Sequence, residues 1–268
     1  MTERGLCAVV LAAGAGSRLR PLTDVLPKAL CPVGNVPLLD RALDRLAALD
    51  LVGPDFVAVN AHHHADQIAD AVAGRATLSI EQPEALGTAG AIAALRDWVA
   101  GRDVLVVNAD AYLAGPFPDD FVDGWTGDQP RLLVVAAGDR RRDFDTWRFA
   151  GVSLLPAADA ARLRPEPTGL YEVVWRAAWA ADQLQLTPFP GTFVDCGTPT
   201  DYLEANLLAP ATDPGAIVTG RAVDSVIGAG AVVEGLVTRC VIWPGARVEA
   251  NETLTDVIRA EGGLTVPA

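Results

Sequence analysis

Lysine is almost missing from this chain. Among 268 residues there is one, Lys28, and arginine supplies the rest of the 21 basic side chains. Basic charge of any kind is scarce: 34 acidic residues leave a net charge of −13 and a pI near 4.6. That balance excludes nucleic acid or an anionic membrane as the main partner. The four cysteines, Cys7, Cys31, Cys196 and Cys240, include no CxxC pair and read as buried thiols rather than a disulfide frame. No apolar run is long enough to cross a bilayer. The run from Leu6 to Ala13 is also too short for a signal peptide and meets glycine at once, so a cytoplasmic location is expected.

With 50% hydrophobic and 21% charged residues, large-scale disorder is excluded. The length suits one large α/β domain with a small appendage. An acidic protein that handles anions must gather its few cations in one place. A lone lysine among arginines is a candidate for a role that a compact ammonium fills and a planar guanidinium does not, such as contact with phosphate.

Leu6–Leu11 is continuously apolar, as in a buried parallel strand, and Gly14-Ala15-Gly16-Ser17 follows. From Pro37 to Leu49 apolar residues recur at helical spacing. The alternation continues with strands predicted at 55–59, 77–80, 103–107 and 131–137 and helices at 64–73 and 88–98. Such alternation implies a doubly wound, mostly parallel α/β sheet, Rossmann-like, with ligands at the carboxyl ends of the strands. Segments 13–18, 82–90 and 108–110 lie at such ends. After Ala209 the composition changes, and Pro210–Gly215 reads as a linker. Beyond it Val226-Ile227, Val241-Ile242 and Val257-Ile258 recur at spacings of 15 and 16, a short solenoid of β type. The expected division is therefore a domain over 1–212 and a β-helical appendage over 213–268.

The segment from Leu11 through Ala13, Gly14, Gly16, Ser17 and Arg18 to Pro27-Lys28 carries the strongest chemical signal. A Gly-x-Gly after a strand lets backbone N–H groups approach phosphate. Arg18 adds a bidentate donor and Lys28 a point charge. Residues 14–30 hold three cations and one anion, Asp24, which is the positive patch the composition requires. No Gly-Lys-Ser/Thr follows, so this is not a P-loop, and the spacing is not that of the dinucleotide fingerprint. Asp110 follows an apolar strand, and Asp195 follows Phe193-Val194 and precedes Gly197-Thr198. Two carboxylates at loop ends suit Mg²⁺, a hard cation that prefers oxygen ligands and substrate phosphates. The plainer readings are a helix N-cap for Asp110 and a turn residue for Asp195.

The whole string GxGxRxxPxT…PK resembles the signature of the sugar nucleotidyltransferases, the nucleoside-diphosphate-sugar pyrophosphorylases. Three further segments resemble that family in order: Glu81–Gly90, a base-recognition segment; Val107–Asp110, a strand end with a metal aspartate; and Phe193–Pro199, the second aspartate motif. The C-terminal repeats resemble the left-handed β-helix of many members. The resemblance implies transfer of a nucleotidyl group from a nucleoside triphosphate to a sugar 1-phosphate, with Mg²⁺ as cofactor and pyrophosphate as product. It implies nucleotide binding at Leu11, Ala13, Gly14, Gly16, Ser17, Gln82, Gly87 and Thr88, with Arg18, Lys28 and Asp110 catalytic. Asp110 and Asp195 would take the metal, and Asn108, Gly151 and Glu172 the sugar phosphate. Gly87 would let backbone reach the base edge; the alternative is a helix start with Thr88 as N-cap. Glu172 reads equally as a solvated face.

Leu86–Ala91 is most similar to the mannose-1-phosphate and heptose-1-phosphate guanylyltransferases, which makes GTP with mannose 1-phosphate the first expectation. Uridylyl or thymidylyl transfer, a cyclitol phosphate acceptor, and a non-catalytic regulatory subunit of the same fold are the alternatives. A homo-oligomer through the C-terminal β-helix is a further option. Many members carry a second lysine near the sugar-binding glutamate; this chain has none, and Arg176 is the nearest substitute. His62-His63-His64 resembles a metal cluster, but adjacent histidines cannot all face one ion. Arg140–Arg142, set between Asp139 and Asp143, reads as a solvated loop.

Overall fold

The computed structural model describes residues 5–209, 211, 213 and 215–268. Pro210, Thr212 and Pro214 of the expected linker, on which the boundary after 212 partly rests, lie outside the described residues.

The first strand, β1 (Leu6–Leu11), buries Cys7, Ala8, Val9 and Val10 completely, which is why it reads as an unbroken apolar run. A small antiparallel hairpin, β2 (Pro32–Val33) and β3 (Val36–Pro37), leads into α1 (Leu38–Ala47). That helix buries Leu38, Leu39, Ala42, Leu43 and Leu46, the stripe its spacing predicts. Next come β4 (Val57–Ala61), α2 (Ala65–Val72) and β5 (Thr77–Ile80). The helix predicted over 88–98 is two pieces, α3 (Gly87–Ala94) and α4 (Arg96–Val99). The break falls at Leu95, whose N–H bonds only three residues back, to Ile92, as in a tightened helix end.

Then follow β6 (Asp103–Asn108), β7 (Ala111–Ala114), β8 (Arg131–Ala136) and β9 (Trp147–Leu155). After these come α5 (Ala157–Ala160), α6 (Arg176–Ala180), β10 (Gln185–Pro188), β11 (Thr192–Asp195) and α7 (Pro199–Leu208). A seven-stranded sheet has the order β10-β8-β9-β6-β1-β4-β5. Its neighbours pair in parallel except at β9, which is antiparallel to both β6 and β8. The mostly parallel sheet is thus as expected, but β9 is a strand the pattern does not announce. Gly151 interrupts its alternation, at φ +78, where the pairing with β8 slips into a bulge. Successive strands leave β1 on both sides, toward β4 and toward β6, so the topological switch point is at the carboxyl end of β1. No helix among the described residues is long and apolar enough to cross a membrane.

By their contacts the residues form two compact units. One comprises the chain through Ala15, Arg41–Ala109 and Leu113–Phe193, and holds the seven-stranded sheet. Its core includes Cys7, Val9, Ile92, Val106, Leu132, Val134, Phe144 and Trp175. The other comprises Gly16–Asp40, Asp110–Tyr112 and Val194–Ala268. The C-terminal repeats therefore belong to one unit with the segment that carries Lys28.

In that second unit the repeats build three parallel faces. The strands are β12 (Ile217–Val218), β13 (Arg221–Val223), β14 (Val226–Ile227), β15 (Val232–Val233), β16 (Leu236–Thr238) and β17 (Val241–Ile242). The third coil adds β18 (Arg247–Val248), β19 (Thr253–Thr255) and β20 (Val257–Arg259), and β21 (Thr265–Pro267) closes it antiparallel to β20. The faces are β12-β15-β18, β13-β16-β19 and β14-β17-β20, a three-coil β-helix around Ile227, Val233, Val237, Cys240, Ile242 and Val248. Val226 stands over Val241 as the 15-residue spacing predicts, but Val241 stands over Ile258 rather than Val257. The third coil is longer at the Glu249–Glu252 corner, and Ile258 takes the buried place.

Candidate active site

In the second unit, the chain after Ala15 folds onto itself because Gly16 has no side chain. Gly16 stands at φ +58, and a Cβ there would lie 2.8 Å from Thr23 Cγ2 and 3.1 Å from Lys28 Cβ. Three single 3₁₀ turns follow, Ser17–Leu19, Leu22–Asp24 and Lys28–Leu30, and they bury Leu19, Leu22 and Thr23. The Thr23 hydroxyl donates to the Gly16 carbonyl at 3.0 Å and pins the turn. Lys28 is drawn inward until it is only 6% exposed. Its ammonium donates to Asp110 Oδ2 at 2.9 Å and stands 3.6 Å from Asp195 Oδ1. Burial alone would lower the Lys28 pKa; Asp110, by charge and hydrogen bond, and then Asp195 outweigh it and hold it above the ordinary lysine value. Arg18, largely exposed, reaches 4.0 Å from Asp195 Oδ2. The two aspartates are delivered by paired strands: Asp110 directly precedes β7 and Asp195 ends β11.

Lys28, Asp110, Asp195 and Arg18, predicted from residues far apart in sequence, are thus one cluster. The N-cap reading of Asp110 does not hold, since no helix starts there; Asp195 ends β11 and its carbonyl accepts from Gly197 N–H at 2.7 Å, so the turn reading describes its backbone while its carboxylate joins the cluster. The donor set suits Mg²⁺, which takes one or two protein carboxylates and completes its shell with water and substrate phosphate. Two carboxylates close enough to share one ammonium provide that pair. Among the described residues no group of three or more His, Cys, Asp or Glu side chains could hold a metal by itself. Two thiols are buried in the same unit, Cys31 and Cys196, and burial pushes both up to about 12.

The first unit brings together residues at strand ends. Leu11 pairs with Asn60 on one side and Asn108 on the other. Val107 pairs with Val152, so Asn108 and Gly151 are the next residues along adjacent strands. Leu11, Asn108 and Gly151, assigned to nucleotide and sugar, therefore share one end of the sheet. Ala13 is buried beside that end, while Gly14 is exposed. Gly14 needs no glycine for the protein's own sake: a Cβ there would meet nothing within 4 Å, and its φ is an ordinary one.

Two residues that sequence reasoning missed fix these loops. Asn60 and Glu81 are 3% and 2% exposed. Ala12 N–H donates to Asn60 Oδ1 at 2.7 Å, and Asn60 Nδ2 donates to Glu81 Oε1 at 2.8 Å. Leu86 N–H donates to Glu81 Oε2 at 2.7 Å. This buried relay ties the start of the glycine-rich segment to both ends of the 81–86 loop. In the sequence Asn60 is only a polar residue near the end of an apolar strand and Glu81 an acid directly after the next strand, neither of them unusual there. The His62 imidazole is hydrogen-bonded to the Glu81 carbonyl through Nδ1 at 2.9 Å.

Gly87 and Thr88 open α3, with Gly87 at φ +68. Thr88 is not an N-cap: Leu86 holds that position, and the Thr88 hydroxyl accepts from Leu170 N–H at 2.7 Å. A Cβ on Gly87 would lie 2.6 Å from the Thr168 carbonyl oxygen, so the space that Gly87 frees is taken by the protein's own backbone. Gln82 is exposed on the loop before. Glu172 is exposed in the single π turn Tyr171–Trp175, which docks through Trp175 on Phe149 at a ring separation of 4.8 Å. Arg176 is exposed at the start of α6. In the 140–142 loop, exposed Arg141 pairs with Asp143 at 3.3 Å, in keeping with a solvated face.

Residues 7–123 match the family described as nucleotidyl transferase. That stretch of the chain is similar to a nucleotidyl transferase domain. It is 28% identical over 234 residues to the mannose-1-phosphate guanyltransferase of Schizosaccharomyces pombe, covering 75% of this chain and 63% of that protein. To the N-acetylmuramate alpha-1-phosphate uridylyltransferase of Caulobacter vibrioides it is 33% identical over 148 residues, 51% of this chain and 60% of the relative. The chain thus spans less than two thirds of the length of these curated relatives. A Bacillus anthracis structure assigned as a glucose-1-phosphate thymidylyltransferase, solved with a sucrose, shares the fold, with a TM-score of 0.64 at 20% identity over 76% of this chain and 95% of that one. Sugar-phosphate nucleotidyltransferases generally use a divalent metal.

Gly14 and Gly16 make opposite predictions. Gly16→Ala forces a side chain into a left-handed backbone against Thr23, and is expected to lower stability by about 1–3 kcal/mol. Gly14→Ala is expected to leave the melting temperature unchanged and to weaken nucleotide binding, because only a ligand would meet its methyl group. Thermal unfolding and nucleotide titration of both variants check this; equal binding losses at equal stability would remove the distinction.

Proposed function

We propose that the chain transfers a nucleotidyl group from a nucleoside triphosphate to a sugar 1-phosphate and releases pyrophosphate. One observation carries the reading: a buried ammonium held between two carboxylates, with a guanidinium beside them. Nucleotide phosphates are assigned to Leu11, Ala13, Gly14, Gly16 and Ser17, and the base to Gln82, Gly87 and Thr88. The sugar phosphate is assigned to Asn108, Gly151 and Glu172. All these residues precede 212, so the transfer function is assigned to 1–212 and a supporting one to 213–268.

The acceptor phosphate is already mostly dianionic near neutrality, since a phosphate monoester has its second pKa near ~6, and needs no general base. Its oxygen attacks the α-phosphorus in line, and the bond to pyrophosphate breaks. What remains for the protein is positioning and charge neutralisation. Lys28 and Arg18 offset the charge on the reacting and leaving phosphates. Asp110 and Asp195 would hold Mg²⁺, which when bound supplies Lewis-acid neutralisation of phosphoryl oxygens. GTP with mannose 1-phosphate is the first pair to test, given the guanyltransferase relative; the uridylyltransferase relative makes UTP the second. A pyrophosphate-release screen of five nucleotides against a panel of sugar 1-phosphates with Mg²⁺ decides it. Release with at least one pair, absent in Asp110→Ala, is expected. No release above that control with any pair would sink the reading.

A further inference from the structure

Asp195 and Lys28 are both fastened to α7. The helix begins four residues after Asp195, behind its N-cap Thr198, whose hydroxyl accepts from Asp201 N–H at 3.2 Å and donates to the Asp201 carboxylate at 2.7 Å. One turn on, Tyr202 is completely buried. Its hydroxyl donates to the Pro32 carbonyl and accepts from the indole N–H of Trp243, on the β-helix, at 3.1 Å. One further turn on, Asn206 accepts from Gly34 N–H at 3.0 Å and donates to the Tyr202 carbonyl at 2.9 Å. Asn35 donates to the Ile227 carbonyl of the β-helix at 2.9 Å.

Pro32, Gly34 and Asn35 form the hairpin that follows the Lys28–Leu30 turn, and Cys31 N–H closes that turn onto the Lys28 carbonyl at 3.0 Å. One helix therefore holds the segment behind Lys28 and the strand end bearing Asp195, and the β-helix holds the helix through Trp243. A buried hydroxyl adds little net stability when paired, but it fixes direction, because leaving its partners unpaired is costly.

We propose that Tyr202 and Trp243 are positioning residues for the transfer reaction, and that the β-helix acts through them to set Lys28 against Asp110 and Asp195. The proposal rests on the nucleotidyl-transfer reading for its kinetic consequence and on geometry alone for its structural one.

The single lysine makes the test direct. Lysine labelled with a stable nitrogen isotope at Nζ alone gives one side-chain NMR resonance, that of Lys28, which is compared in wild type, Trp243→Phe and Tyr202→Phe. In both variants the resonance is expected to move. The kcat for pyrophosphate release is expected to fall on the order of 10-fold or more, with the nucleotide KM within about twofold. A merely structural role would lower the melting temperature and leave the resonance and kcat of the folded variant at wild-type values; that result overturns the proposal. Should Tyr202→Phe not fold, Trp243→Phe, which keeps an aromatic ring while removing the indole N–H and part of the side-chain volume, decides alone. The resonance needs no turnover, so a wild type that releases no pyrophosphate would defeat the functional reading and leave this one to be decided by NMR.

Discussion

Asp110→Asn is expected to reduce kcat on the order of 10²-fold or more, the effect of losing one preorganised electrostatic group at a reacting centre. The substitution keeps the shape of the side chain and removes its charge. Two consequences follow together. A hard oxygen donor to the divalent cation becomes a weaker one. The buried ammonium of Lys28 loses its nearer counter-ion and keeps only Asp195, at 3.6 Å. Breaking a fully buried ion pair costs about 3–5 kcal/mol, but the Asp110 side chain is 47% exposed and Asp195 remains. Solvent screening therefore limits the stability loss to about 1–2 kcal/mol. The variant should fold, with a modest drop in melting temperature and a large drop in turnover. Manganese binding followed by electron paramagnetic resonance, without substrates, should weaken in parallel. Near-normal turnover in a folded Asp110→Asn protein would count against the assignment of this carboxylate.

The parts of the site that can be read from sequence are those that break a local rule. Lys28 is conspicuous as the sole lysine, and Asp110 because a charge follows a strand of buried valines. Asn60 and Glu81 break no such rule: a polar residue near the end of a strand and an acid opening a loop look like ordinary surface. Only the pairing of β4 with β5, which sets Ala61 beside Ile80, brings the two together and turns them into a buried relay. The same limit explains β9. A glycine within a run of apolar residues usually argues against a strand, and here it is the bulge that lets the strand continue. It explains Thr88 as well, since the competition for its hydroxyl comes from Leu170, far away in sequence. The place of the C-terminal repeats was equally hidden. Their periodicity announces a β-helix, but nothing local in Tyr202, Pro32 or Trp243 says that they meet.

Lys28→Arg is expected to lower kcat on the order of 10²-fold although charge is conserved. The reason is the shape of the space around the ammonium. Lys28 is almost fully buried, its Cβ lies against Gly16, and two thiols in the same unit are held protonated by burial. A guanidinium is larger and planar and cannot direct its donors at two carboxylates on separate segments from the point where the ammonium sits. Lys28→Met, close in volume and neutral, should fold and be equally inactive, because it removes the ammonium assigned to offset phosphate charge. The pH dependence of stability separates charge from shape. The Lys28 pKa is raised in the folded protein above the ordinary 10.5, so the folded state binds its proton more tightly than the unfolded one. Its contribution is complete below 10.5 and is lost as pH rises through the higher folded value. Chemical denaturation of wild type and Lys28→Met should accordingly show a stability difference that is constant through the neutral range and shrinks only in strong alkali. A difference that already shrinks near neutrality would mean that the ammonium is not held by its two aspartates, and the account of the site would lose its central contact.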